Sequence, residues 1–153
     1  MIRRPPRSTH CISSAASDVY KRQQYMLAVD RNNAQVAPLY QEYHPAVLHA
    51  LKQVVDAAHA EGKPVSLCGE MAGNPASAVL LMAMGYDELS MNSPNLLQVK
   101  AAIRQIAIPQ AMEILDEVLR MDNAYLIRNH VDERLRDLGL ARVLRRQGDG
   151  FAG

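Results

Sequence analysis

Between Pro45 and Lys63 the apolar positions recur with a helical period, placing Val47, Leu48, Leu51, Val54, Val55 and Ala58 on one face. Pro45 suits the first turn of that helix and Gly62 its C-terminal stop. After Pro64 the period changes. Val65 and Leu67 alternate with Ser66 and Cys68 over a length that suits a buried strand. Asn74 and Pro75 supply an N-cap and first-turn pair for the apolar run ASAVLLMAM, and Gly85 ends it. Leu89 to Met91 predicts a second, very short strand. Ser93 and Pro94 then open a helix in which Leu96, Val99, Ile103 and Ile106 form the apolar stripe. Short strands alternating with amphipathic helices predict βα units and a parallel sheet.

Past Pro109 only helical periods remain. Ile114, Leu115, Val118 and Leu119 make one stripe, and Ile127, Val131, Leu135 and Leu138 make another within 124–138, with Asn123 as the break between them. Such helices are expected to pack on the βα region or on a second subunit. The N-terminal string MIRRPPRSTHCISSAASDVYKRQ is basic, serine-rich and aperiodic. It resembles the conceptual translation of sequencing-adaptor DNA, so residues 1–23 are expected to be non-native and disordered. This divides the chain into 1–23, a βα region at 24–107, a helical segment at 108–140 and a loose tail at 141–153 rich in arginine and glycine.

Composition narrows the function. A net charge of +1, no tryptophan and a single phenylalanine offer neither a basic stripe nor an aromatic platform, so nucleic acid is not an expected partner. No run approaches the ~18 apolar residues of a membrane span. Cys11 and Cys68 form no disulfide or metal pattern, which makes a reducing, cytoplasmic setting the expectation. His44, His49, His59 and His130 lack metal-ligand spacing and are expected on solvated helix faces. Taken alone, the residues around Cys68 favour small buried packing. An isolated Asp30-Arg31 pair equally reads as a solvated loop.

Three stretches change that balance: YMLAVDRNN at 25–33, HPAVLHALKQVVDAAHAEGKPVSLCGEMAG at 44–73 and GYDELSMN at 85–92. In this order and spacing they resemble the C-terminal end of phosphoenolpyruvate-protein phosphotransferase, enzyme I of the bacterial sugar phosphotransferase system, and its nitrogen-regulatory branch most. Pyruvate phosphate dikinase and phosphoenolpyruvate synthase are the nearest alternatives. Glu70 with Ala72-Gly73, together with Asp30 to Asn33, favours the phosphotransferase.

The resemblance implies an α/β fold: the C-terminal part of a phosphoenolpyruvate-binding TIM (β/α)8 barrel, incomplete, followed by two C-terminal helices. A full barrel has ~250 residues, so the βα portion is roughly a third of one. Its seventh strand would be Val65 to Cys68 and its eighth Leu89 to Met91, with 25–30 a helical turn where hydropathy alone suggests a strand. Cys68 carries over as the proton donor to the enolate left by phosphoryl transfer, a task that suits a thiol with an ordinary pKa near ~8.5. Arg31 carries over as a binder of the substrate phosphate, although Asn32 stands where the family usually has glycine. Glu70 and Asn92 are possible supporting residues: Glu70 orienting groups near the thiol, Asn92 near the substrate or capping the next helix.

The implied cofactor is Mg2+, with ligands expected upstream of Gln24. The implied partners are phosphoenolpyruvate and pyruvate, a histidine-containing phosphocarrier protein and a second copy in a homodimer. The family's phosphorylated histidine belongs to an upstream domain, and none of the histidines here inherits its role. On this reading the chain is a fragment, expected to be inactive alone. A non-catalytic dimerisation remnant is the other class of function left open.

Overall fold

The computed structural model describes residues 41–141. The expectations for residues 1–23, the turn at 25–30 and residues 142–153 lie outside the described residues. In chain order the elements are α1 (Pro45–Ala60), β1 (Ser66–Cys68), α2 (Glu70–Gly73), α3 (Pro75–Met84), β2 (Glu88–Ser90), α4 (Ser93–Gln105), α5 (Ile108–Val118) and α6 (Ala124–Asp137).

Local chemistry explains where each helix begins. His44 caps α1 by accepting at Nδ1 from the Ala46 N–H at 3.2 Å, and Pro45 occupies the first turn, where a missing N–H costs nothing. Asn74 Oδ1 accepts from the N–H groups of Ala76 and Ser77 at 3.0 and 3.4 Å, opening α3. Asn123 does the same for α6 through Tyr125 and Leu126. The stop after α3 is Gly85, whose left-handed φ of +101° a side chain would strain. A Cβ there would also approach Val55 Cγ1 to 3.3 Å.

α3 is the hub of the molecule. Its sequence is apolar on every side, and α1, α4, α5 and α6 all pack against it. Val47, Leu48, Leu51 and Val55 of α1 close one flank, while Val54 and Ala58 are only half-buried. α4 departs from its expected stripe: Val99, Ala102 and Ile106 are buried, Ile103 is half-buried, and Leu96 is 51% exposed. The small Ala102 lies on the face that α4 turns to the core, rotating the contact away from Leu96. Within α5 and α6, Ile114, Leu115, Val118, Ile127, Val131 and Leu135 complete the core. At the α5–α6 rim, Arg134 reaches Glu113 at 3.3 Å and Glu117 at 3.2 Å, and His130 Nε2 meets Glu117 at 2.7 Å.

β1 and β2 pair in parallel, with Ser66 opposite Glu88, Leu67 opposite Leu89 and Cys68 opposite Ser90. Each strand differs in extent from the hydropathy reading. The Val65 carbonyl accepts from the N–H groups of Asp87 and Glu88, which fixes the register so that β2 starts at Glu88 and ends before Met91. Asp87 locks the same corner: its Oδ2 accepts from the Val65 N–H at 2.7 Å and lies 3.0 Å from His59 Nε2. The α2–α3 crossover joining two parallel neighbours is the βα organisation the hydropathy implies. Among the described residues, no helix is long and apolar enough to cross a membrane.

Candidate active site

Side chains alternate across a strand, so a face buried at one residue leaves its neighbours on the other side. Leu67 belongs to the core cluster and Leu89 packs against it, which turns both toward the helices. Ser66 and Cys68, with their register partners Glu88 and Ser90, therefore share the opposite face of the two-stranded sheet. Cys68 and Ser90 are the last residues of their strands and stand side by side. The chain then turns sharply at Gly69, whose φ of +120° and ψ of −170° lie in a region essentially reserved for glycine. That turn starts α2 directly behind the thiol.

An open cleft of about 560 Å³ lies at this strand end, lined by Glu42, Cys68, Gly69, Glu70, Gly73, Asn74, Ser90, Met91, Asn92 and Asn95. Its chemistry combines one half-buried thiol, two carboxylates and three carboxamides. Gly73 and Asn95 fit closely: a Cβ on Gly73 would lie 2.6 Å from Asn95 Nδ2, so the bare glycine leaves room for that amide beside α2. A second cavity of about 480 Å³ adjoins the first and is lined by Gln41, Glu42, Tyr43, Glu70, Asn74, Ala124, Tyr125 and Arg128. Burial pushes the Glu42 carboxyl above the ordinary carboxylate range; the nearby Glu70 charge adds to this and Arg128 opposes it.

Cys68, Glu70 and Asn92, separated by as many as 24 positions in sequence, line the same cleft. Asn92 occupies the N-cap position of α4 yet makes no side-chain capping hydrogen bond. Glu70 opens α2 at the exposed rim. Arg31, with Asp30, Asn32 and Asn33, lies outside the described residues. Hydropathy and motif reading missed Glu42, Ser90 and Asn95. Ser90 is found only through the strand register, whereas the Asn92/Asn95 spacing of one helical turn is a signal the sequence does carry.

Among the described residues no histidine lines the cleft: His44 caps α1, His59 meets Asp87 and His130 meets Glu117. His44 and His130 are thus half-buried groups with protein partners rather than members of solvated faces, because a helix cap holds the first and a side-chain hydrogen bond with Glu117 the second. Among the described residues, no group of three or more His, Cys, Asp or Glu side chains could hold a metal ion. Mg2+ is commonly held by one or two carboxylates together with substrate phosphates, and the carboxylates that line this cleft among the described residues are Glu42 and Glu70. What the cleft can do is donate a proton from sulfur to an atom held against the strand ends, with amide N–H groups available to anionic oxygens.

Residues 20–108 match the family described as PEP-utilising enzyme, PEP-binding domain. The chain is 46% identical over 101 residues to the phosphoenolpyruvate-protein phosphotransferase of Bacillus sp. (strain S), a match covering 66% of the chain and 18% of that protein. It is 42% identical over 112 residues to the protein of the same name from Haemophilus influenzae, covering 73% and 20% respectively. The phosphoenolpyruvate-dependent phosphotransferase system protein of Salmonella typhimurium is 38% identical over 122 residues, covering 80% and 16%. The chain spans about a fifth of the length of the curated relatives it matches.

Proposed function

Because the chain belongs to the PEP-utilising enzymes through their PEP-binding domain, we propose that it forms the closing strands and helices of the substrate barrel in a phosphoenolpyruvate-protein phosphotransferase. The complete protein moves the phosphoryl group of phosphoenolpyruvate to a histidine nitrogen and releases pyruvate. Breaking the phosphorus–oxygen bond leaves an enolate whose electron pair must collect a proton at the methylene carbon. Cys68 Sγ–H supplies that proton, and the thiolate recovers one from water. The Asn92 and Asn95 amides face the same cleft and suit the carboxylate or phosphate oxygens of the substrate. Arg31 binds the phosphate through its guanidinium fork. Glu70 orients groups near the thiol.

Magnesium, when bound, neutralises phosphate charge in such transfers. The steps assigned to this chain's residues do not run through it. The phosphoacceptor is a histidine-containing phosphocarrier protein, the setting is the cytoplasm, and residues 108–140 contribute to a homodimer.

One observation carries this reading. Cys68 ends a parallel strand on the face away from the helical core and opens into a polar cleft, where barrel enzymes place their chemistry. The test is to graft residues 24–140 into the Haemophilus influenzae relative in place of its matching segment and assay pyruvate release. The chimera should turn over phosphoenolpyruvate, and Cys68→Ala should lower turnover by about 10²-fold or more while substrate binding persists. Turnover unchanged by Cys68→Ala refutes the proton-donor role, and a folded chimera that binds no phosphoenolpyruvate refutes the barrel assignment.

A further inference from the structure

Gly73 closes α2, yet its backbone gives no reason for glycine: the positive-φ glycines among the described residues are Gly62, Gly69, Gly85 and Gly139. In a helical turn glycine is also the less favoured choice, because it loses more backbone freedom on folding than alanine does. What the position does require is space. A Cβ at 73 would lie 2.6 Å from Asn95 Nδ2 and 3.4 Å from both Asn95 Cβ and Cγ, and the nitrogen contact is closer than packed atoms tolerate. Asn95 comes from the first turn of α4, where its own N–H donates to the Asn92 carbonyl at 3.0 Å. Its side chain therefore lies against the end of α2, nitrogen end nearest the glycine, in the place a side chain at 73 would take. Both residues line the Cys68 cleft, and Asn95 is half-buried there.

We propose that Asn95 is a substrate-binding residue and Gly73 its positioning residue: the missing side chain at 73 seats the carboxamide against α2, so that Nδ2–H donates to an anionic oxygen of the substrate at the strand ends. The inference rests on the phosphoenolpyruvate reading above and adds to it how one donor is placed. A carboxamide suits the task because it offers two N–H donors to an anion. A side chain wedged in place before the substrate arrives also has less rotamer freedom left to lose on binding. A methyl at 73 removes that seat. The amide must then rotate away, and its donor leaves the line to the substrate.

Two measurements test it. Without substrate, the Asn95 side-chain amide signal in NMR spectra of the whole chain should shift on Gly73→Ala while circular dichroism stays that of the folded wild type; an unshifted signal overturns the positioning role. With substrate, the graft of residues 24–140 into the Haemophilus influenzae relative is assayed for pyruvate release. Asn95→Asp keeps the size of the side chain and replaces the donor by a negative charge, so KM for phosphoenolpyruvate should rise about tenfold or more, further than kcat falls. Gly73→Ala alone should raise KM about threefold or more, but added to Asn95→Ala it should change KM by less than about 1.5-fold, because both act through one amide. A merely structural contact between α2 and α4 predicts the reverse, with Asn95→Asp harmless and Gly73→Ala equally costly in both backgrounds. A KM unmoved by Asn95→Asp, or effects of Gly73→Ala and Asn95→Ala that multiply, overturns the proposal. Cys68→Ala in the same graft acts on kcat and so reports separately on the proton-donor reading.

Discussion

Replacing Gly69 by alanine tests how the thiol is aimed. At φ +120° and ψ −170° the residue occupies backbone space that costs side-chain-bearing residues about 1–3 kcal/mol. A Cβ built there meets nothing within 4 Å, so no collision adds to that cost and none of it can be relieved by repacking. Gly62 is the internal comparison. Its surroundings are equally open, but its φ of +64° is ordinary left-handed backbone, where alanine costs roughly 1–2 kcal/mol and asparagine less. The two sites should therefore separate on asparagine. Gly62→Asn should lie close to wild type, while Gly69→Asn should be about as damaging as Gly69→Ala. Urea unfolding of the whole chain followed by circular dichroism provides the assay, with the midpoint shifting and the slope unchanged. A Gly69→Ala loss under about 0.5 kcal/mol, or rescue by asparagine at that position, would refute the argument that backbone conformation alone dictates glycine behind Cys68.

Three further outcomes follow from the same structure. Gly73→Ala gains about 0.5–1 kcal/mol of helix preference but sets a methyl 2.6 Å from Asn95 Nδ2, the free end of a rotatable side chain; the amide should swing aside with a net loss under about 2 kcal/mol. An Asn95 side-chain NMR signal left in place would contradict this. Ser77 is fully buried and donates to Tyr43 Oη at 2.9 Å. Ser77→Ala should therefore cost about 1–3 kcal/mol in urea unfolding, and the Ser77→Ala/Tyr43→Phe pair less than the sum of its parts; strict additivity would count against the bond. The third outcome concerns pH. The Asp87 carboxyl is held below its ordinary value, first by the Val65 N–H and then by His59, so its contribution is present above about pH 4 and fades as pH falls below that value. Glu42 has the opposite sign: its raised value means that ionisation weakens the fold as pH rises past the ordinary carboxylate range, so Glu42→Gln should stabilise the chain at neutral pH. Unfolding midpoints from pH 3 to 7 check both, and a Glu42→Gln variant less stable than wild type at pH 7 would reverse the assignment.

Local signals were legible wherever neighbours in sequence are neighbours in space. Asn74, Pro75 and Gly85 announce α3 because capping is a matter of a few consecutive residues. The two short strands were readable, although their ends were not: which residue begins β2 depends on the Val65 carbonyl and the Asp87 carboxylate, and both bonds join segments more than twenty residues apart. The helical period of α4 was readable, but its inward direction was not. Leu96 and Ala102 both satisfy a helical stripe, and only packing against α3 decides that the smaller one goes inside.

The site divides along the same line. By itself the sequence determined that a cysteine ends a short strand, that a glycine and a glutamate follow it, and that asparagines recur one helical turn apart. It also carried, in three stretches, the resemblance that singled out Cys68. Tertiary structure alone brought Ser90 beside that thiol, placed Glu42 in the lining of its cleft and set Arg128 in the lining of the second cavity that shares Glu42. The reason is physical: caps, turns and side-chain periods are set by bonds between near neighbours, whereas register, burial and the charge felt by a carboxyl are set by whatever the folded chain brings alongside.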